Sequence, residues 1–161
     1  MSKEKAIVTM SWKTTAKDGQ GNIIWVDEGD NLIVEEGLNY LLSNDIPSAT
    51  LYIGLTDSAP TPASGDTMAS HAGWTEVTDY DEAARQAWGQ GAASAGVTVN
   101  ATSATFTNVV GTVGGGFLST VATKGGSTGD LFSVKASNEG DRVMVAPNTL
   151  DFTVSLSVAS A

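Results

Sequence analysis

Cysteine is absent from this sequence of 161 residues, and histidine occurs once, as His71. Without cysteine the chain forms no disulfide, holds no thiolate-bound zinc and offers no cysteine nucleophile. No second imidazole can complete a transition-metal site around His71, and no G-x-S-x-G elbow accompanies it, so a Ser–His–Asp triad is not expected. We predict that His71 is structural or lies on the surface, and we expect no cofactor.

Aromatic residues are also few, at 7% of the chain. A sugar-cleaving cleft normally presents several stacked rings, so glycoside hydrolysis is disfavoured although carboxylates are plentiful. The tryptophans could still form a carbohydrate platform, but burial is the expected fate of such large apolar rings. They are Trp12, Trp25, Trp74 and Trp88. We expect no enzymatic activity from this set of side chains.

Long hydrophobic runs are missing too. No stretch approaches the roughly 18 apolar residues that indicate a membrane-spanning helix. The charged residues 1–5 are not followed by an apolar run, so no signal peptide is expected. The glycine run 114–116 lacks the Lys-Ser/Thr pair of a phosphate-binding loop, which favours a tight bend or a close approach of strands.

Basic residues are lacking between Asp18 and Ala84, a stretch that contains thirteen carboxylates. The first seventeen residues carry four lysines against one glutamate, and the charges after Ala84 balance. The acidic stretch therefore accounts for the net charge of −10. A basic segment beside an acidic block favours contact between subunits. It argues against nucleic acid, which requires a positive surface.

Two acidic turns and one arginine stand out within this charge pattern. The turns 27–30 and 79–82 offer the oxygen ligands that Ca²⁺ prefers, but neither has the twelve-residue spacing of a calcium loop. We expect both turns to be solvated and to bind no metal. Arg85 ends the acidic stretch beside Asp81 and Glu82, and a partly buried arginine that bridges these carboxylates would be structural.

The remaining pattern predicts a mainly β chain, an antiparallel β-sandwich or barrel-like domain with one short helix. Small side chains are abundant and bury little apolar area each, which favours a thin two-layer core. Short β-rich runs recur in the second half between glycine-containing turns. Residues 149–158 alternate, with the apolar side chains facing one way: Leu150, Phe152, Val154, Leu156 and Val158.

The first third of the chain is organised differently. Strand-like runs at 5–12 and 23–26 flank a glycine-rich turn and predict a hairpin, so we divide the chain into an N-terminal basic arm and hairpin, 1–31, and a β-sandwich domain, 32–161. The helix is predicted at 33–43, weakened by Gly37 and with an apolar face formed by Val34, Leu38, Leu41 and Leu42. A long loop at 56–73 is of the kind that forms interfaces.

Several segments resemble structural proteins of tailed-bacteriophage virions. The likeness extends over residues 32–158, and its motifs are 51–57, 60–62, 66–71, 73–76, Tyr80, Arg85, 115–118, 124–126 and 129–132. It implies a capsid decoration (cement) protein on the outer surface of the head shell, with the major capsid protein as partner and no catalytic residues. The alternatives are a tail, baseplate or fibre component, and a carbohydrate-binding module that attaches the virion to host glycans.

The resemblance and the charge pattern together suggest how such a protein would bind. We expect a homotrimer that contacts the shell through its basic arm and the loop after Thr56, with no nucleic acid or membrane involved. Deletion of residues 1–17 is expected to abolish binding and leave the core folded. The candidate interface residues are Lys3, Lys5, Trp12, Lys13, Lys17, Pro60, Pro62, His71, Trp74 and Arg85.

Overall fold

The computed structural model describes residues 6–44 and 50–160 and is mainly β, with 48% strand and 6% helix. The elements in chain order are β1 (Ala6–Lys17), β2 (Ile23–Asp30), β3 (Leu32–Ile33), α1 (Glu35–Ser43), β4 (Leu51–Thr56), β5 (Glu76–Val77), β6 (Gln86–Trp88), β7 (Val97–Val99), β8 (Ala104–Phe106), β9 (Gly111–Val113), β10 (Gly115–Ser119), β11 (Leu131–Ala136), β12 (Arg142–Met144) and β13 (Thr149–Ser160). The short strands β3 and β9 were not expected from the sequence.

Two larger antiparallel sheets form the body of the protein. Sheet I has the order β2-β1-β13-β7, with β8 also paired to β13, and sheet II has the order β3-β11-β10-β4-β5, with β6 also paired to β4. Strands β9 and β12 form a separate ribbon. The predicted antiparallel, sandwich-like fold with one helix is therefore confirmed for the described residues.

One core joins the two sheets. The ring of Trp12 in sheet I meets Phe152 edge-on at 5.9 Å between centroids, and Phe152 meets Phe106 in the same way at 5.6 Å. Side chains of sheet II, such as Ile53 and Phe132, belong to the same buried cluster. Residues before position 31 and after it therefore share one core.

Strand β13 shows the predicted alternation over most of its length. Leu150, Phe152, Val154 and Leu156 are buried, as the pattern indicates. Val158 was predicted on the same face but is 50% exposed. It pairs with Val8 near the end of sheet I, where the sandwich no longer covers that face.

The N-terminal segment differs from the predicted arm. Residues 6–17 form β1, which pairs with β13 along its whole length and with β2 on its other side. Met10 and Trp12 on this strand are buried in the common core. Residues 6–17 are therefore a central strand, and a deletion through Lys17 would remove it and expose the core rather than leave a folded domain. Lys3 and Lys5 lie outside the described residues.

Two segments predicted as turns are strands instead. Residues 27–30 form the end of β2, and the glycine run 114–116 leads directly into β10. Glycine is required there because strands and rings approach closely: a Cβ on Gly116 would lie 2.9 Å from the Cζ3 atom of Trp12, and one on Gly115 would overlap the carbonyl oxygen of Lys135. The alternative of a close strand approach is the one that the fold uses.

Helix α1 packs on sheet II through only part of the predicted face: Val34 is buried and Leu41 packs against the core, but Leu38 and Leu42 are exposed. Gly37 is buried against the backbone of Phe132, whereas Leu42 is 87% exposed and Leu38 is 42% exposed. The Tyr40 ring meets the Phe132 ring edge-on at 6.3 Å. The absence of a side chain at Gly37 lets the helix lie directly on β11, and in this orientation Leu38 and Leu42 are left exposed while Leu41 packs on the core.

No helix in the described parts of the chain is long and apolar enough to span a membrane.

Candidate functional site

The long loop after β4 is held by two of its own carboxylates and by Asp141. Asp57 accepts a hydrogen bond from the Thr75 N–H at 2.8 Å and a second one from the Thr75 hydroxyl, which ties the two ends of the loop together. Asp66 accepts from the Ala63 N–H at 2.9 Å. Asp141 accepts from the Ala59 N–H at 2.7 Å and fastens the loop to the turn before β12. The loop is therefore pinned to the sandwich at several points.

Four side chains beneath this loop form a stacked column. The His71 ring lies parallel to Trp74 at 3.7 Å between centroids, with an interplanar angle of 8°. Trp74 contacts Phe117 at 5.0 Å, and the guanidinium of Arg85 lies 5.0 Å from the centre of the Phe117 ring. The column connects the loop to β10 and buries Trp74 and Phe117.

Arg85 completes the column with a buried ion pair. Its Nε and Nη2 atoms donate to the two carboxylate oxygens of Glu76, each at 2.8 Å. The guanidinium also donates to the carbonyl oxygens of Val121 at 2.9 Å and Gly126 at 2.8 Å. The role is structural, but the carboxylate partner is Glu76 instead of the predicted Asp81 and Glu82. Arg85 thereby holds the 121–126 loop against β5.

A groove of about 280 Å³ runs beside the column and is lined by Met68, His71, Trp74, Thr75, Glu76 and residues 125–127. Burial lowers the pKa of His71, and the nearby Asp66 carboxylate opposes this shift in part. The imidazole is therefore neutral at pH 7. The Glu76 carboxylate is occupied by Arg85 and by the Gly125 N–H at 2.7 Å. This groove thus presents a neutral imidazole and an indole, with its carboxylate already engaged.

A second buried ion pair fixes β2 to β11. The Lys135 Nζ atom lies 3.1 Å from Oδ2 of Asp27, and both side chains are almost fully buried. Lys135 also donates to the Ala136 carbonyl oxygen, and the Asn138 N–H donates to the other Asp27 oxygen at 2.9 Å. A cavity of about 10 Å³ adjoins this pair, beside the Ser137 hydroxyl, which is buried without a partner. This volume matches a single water molecule.

The second acidic turn is bound to the loop after β8. The Glu82 carboxylate accepts from the Thr107 N–H at 3.1 Å and from its hydroxyl at 2.7 Å, and the Asn108 amide donates to Asp81 at 2.5 Å. Both predicted acidic turns therefore direct carboxylates toward protein donors. Within residues 6–44 and 50–160, no group of three or more acidic or histidine side chains is placed to hold a metal ion.

Most of the described carboxylates in the acidic block accept hydrogen bonds from donors within the protein. Twelve of its thirteen carboxylates lie in the described residues, and nine of these accept such bonds: Asp18, Asp27, Glu28, Glu36, Asp57, Asp66, Glu76, Asp81 and Glu82. Most of these bonds fasten a loop or a turn to the sandwich. The acidic stretch therefore acts largely as an internal set of acceptors for backbone N–H groups.

The predicted interface residues divide into buried and exposed groups. The buried ones belong to the core or the column and are unavailable to a partner in this conformation: Trp12, Pro60, Trp74 and Arg85. Pro62 and His71 are half-buried. Lys13 and Lys17 are ion-paired, at 2.5 Å each, with Glu28 and Asp151. Of these residues, only the two lysines, Pro62 and His71 retain side-chain surface for contact.

The structure exposes apolar side chains that were not predicted to be exposed. Ile7 and Val158 are half exposed near the end of sheet I, on opposite faces of the sheet, and Leu38 lines a groove together with Val8. A signal was present in the sequence, because Ile7 and Val8 are consecutive apolar residues and a strand can bury only one of two neighbours on a single face.

No family model, curated protein or solved structure matches this chain.

Proposed function

We propose that this chain is a structural protein of a bacteriophage virion that decorates the outer surface of the head shell as a homotrimer. The resemblance of residues 32–158 to virion proteins motivates the proposal. The observation that carries it is that carboxylates fasten loops of the β-sandwich in place: Asp57, Glu82, Glu76 and Asp27 each accept a backbone N–H from a distant turn or loop. A protein that clamps a shell must stay folded and keep its binding surface in place, and loops tied down in this way meet that requirement.

The same geometry disfavours a carbohydrate-binding module. Three of the four tryptophans, Trp12, Trp74 and Trp88, are buried, and Trp25 is partly buried. Trp74, the best candidate for stacking on a sugar, is 6% exposed, and its ring stacks on His71 and contacts Phe117. A sugar ring would have to displace the imidazole to reach the indole.

We also propose that the chain has no enzymatic activity. A broad screen for glycosidase and esterase activity tests this proposal.

The decisive experiment is immunogold labelling of the source virion with an antibody against this chain. Gold distributed over the head is the expected result. Gold confined to the tail would overturn the proposal and favour a tail, baseplate or fibre component. Intact particles without label would mean that the chain is not on the virion surface.

A binding assay with empty shells tests which segment makes the contact. Because residues 6–17 are a central strand, the suitable truncation removes only residues 1–5, which contain Lys3 and Lys5. We expect this variant to lose occupancy on shells and to keep the circular dichroism of the full chain. Full occupancy of the truncated protein would remove the basic segment from the proposed interface.

A further inference from the structure

Strand β1 extends past its neighbour β2 at one end of sheet I. The last paired residue of β2 is Asp30, opposite Ser11, whereas β13 continues to pair with β1 as far as Ala6. Just past Ser11, the Asn31 N–H donates to the Met10 carbonyl oxygen at 3.2 Å. Residues 6–9 of β1 therefore pair with β13 on one side and with no described strand on the other. We call this stretch the open edge.

The backbone groups of Val8 point out of the open edge. Backbone direction alternates along a strand, so Val8 faces the same side as Met10, whose carbonyl oxygen points away from β13. The pairing strand β13 shows the same direction. The N–H of Val158, the residue paired with Val8, donates to the Gly96 carbonyl oxygen at 2.8 Å and therefore points away from β1. The N–H and C=O of Val8 are thus directed at a strand position that no described residue occupies. Such an edge is a template for another chain.

A groove of about 250 Å³ lies along the open edge and is lined by residues 8–10, 30–33 and Leu38. Its side chains are mainly apolar, and Leu32 and Leu38 are partly exposed there. Asp30 adds one carboxylate, which has no ion-pair partner among the described residues. An extended segment with an adjacent positive charge would satisfy both the free backbone groups and this carboxylate.

We propose that the open edge and its groove bind the N-terminal segment, residues 1–5, of a second copy of this chain as an added β-strand. Three observations select this occupant. The segment directly precedes Ala6, so it leaves every copy at the open edge. Its five residues span about 17 Å in extended form, which is enough to cover the four residues of the open edge, about 13 Å. It carries Lys3 and Lys5, the charges that suit Asp30. Strand addition of this kind obtains affinity from main-chain hydrogen bonds.

This inference rests on the proposed function only for the expectation of an oligomer. It assigns residues 1–5 to a contact between copies, so a loss of shell occupancy on their removal would follow from loss of the oligomer. It is tested on the purified full-length chain without capsid shells, so its failure is distinguishable from a failure of shell binding. Sedimentation equilibrium should give a mass above that of one chain. A monomer at all accessible concentrations overturns the proposal.

The variant Val8→Pro tests the edge itself. Proline removes the N–H that faces the open side and leaves the β1–β13 ladder intact, because Val8 contributes no hydrogen bond to that ladder. We expect a monomer with the melting temperature of a folded chain. The matched control Val8→Thr retains the N–H and the branched side chain, and should keep the oligomer mass. Retention of the full mass by Val8→Pro contradicts the proposal.

Disulfide trapping gives an independent test that does not depend on the proline variant folding. The chain has no cysteine, so engineered thiols report only on the chosen positions. A mixture of Lys3→Cys and Leu32→Cys chains should form a mixed disulfide on mild oxidation. Lys3→Cys with Val143→Cys, an exposed position on the separate β9–β12 ribbon, should form little. Equal yields in the two mixtures would overturn the proposed location.

Discussion

Arg85 and Glu76 form a two-point ion pair that is buried on both sides, with side-chain exposures of 0% and 8%. The pair holds the 121–126 loop and supports the Phe117–Trp74–His71 column above it. A buried charge that loses its partner is strongly unfavourable. Replacing either Arg85 or Glu76 should therefore lower the stability of the protein.

Substitution of Glu76 by Gln should lower the free energy of unfolding by about 3–5 kcal/mol, because the Arg85 charge would remain buried without a counterion. The matched control is Glu28→Gln, which breaks the exposed Lys13 pair and should cost at most about 1 kcal/mol. Chemical denaturation measures both losses, provided that the free energy of unfolding depends equally steeply on denaturant concentration in the two variants. Similar losses in the two variants would contradict the assigned roles.

The Asp27–Lys135 pair should show strong coupling in a double-mutant cycle. Asp27→Asn alone leaves the ammonium of Lys135 buried without a counterion and should destabilise the protein by about 3–5 kcal/mol. Adding Lys135→Met should recover part of that loss, because the unpaired charge is then removed. Denaturant midpoints of the two single variants and the double variant provide the cycle. Strictly additive losses would show that the two groups do not interact.

Replacement of Gly37 by Ala should destabilise the protein although alanine favours helix by about 1 kcal/mol. The new Cβ would overlap the Phe132 carbonyl oxygen, so α1 would have to move away from β11. Gly89→Ala is a suitable control, since a Cβ there meets nothing within 4 Å. Thermal melts compare the two variants. A stabilised Gly37→Ala protein would mean that the helix does not lie on Phe132.

The stability of the protein should fall as pH drops below the ordinary histidine pKa of 6.5, in part because of His71. Burial lowers the pKa of His71 in the folded state, so the unfolded chain binds more protons in this range and stability decreases with acidification. His71→Phe keeps a ring on Trp74 without titrating. We expect the decline between pH 6.5 and the lowered pKa to be smaller in this variant. Parallel pH profiles of the denaturant midpoint would rule out a contribution from His71.

Removal of divalent ions should leave the melting temperature unchanged. The carboxylates of the two acidic turns already accept protein hydrogen bonds, Asp27 from Asn138 and Glu82 from Thr107. Calorimetry with and without a chelator checks this expectation. A clear decrease on chelation would indicate a structural cation.

Much of the strand pattern could be predicted because short-range alternation reports burial directly. Residues 150–156 alternate in the sequence and in the structure, since one face of β13 covers the core. The helix was located correctly, but its contact face was predicted only in part, because Val34 and Leu41 pack inward and Leu38 and Leu42 do not. Leu38 and Leu42 have the spacing of an apolar stripe, yet Gly37 forms the closest contact, because steric access to β11 outweighs side-chain hydrophobicity at that position.

The sequence by itself determined the class of fold, the position of the short helix α1 and the concentration of acidic charge. These properties could be predicted because composition, periodicity and turn residues specify secondary structure within a short segment. The tertiary structure alone decided the partners: Glu76 for Arg85, Lys135 for Asp27 and His71 for Trp74. It also decided that residues 6–17 form a central strand and not an arm. These outcomes depend on which strands become neighbours, and pairing between segments more than 100 residues apart, as in β1 and β13, leaves no local signal in the chain.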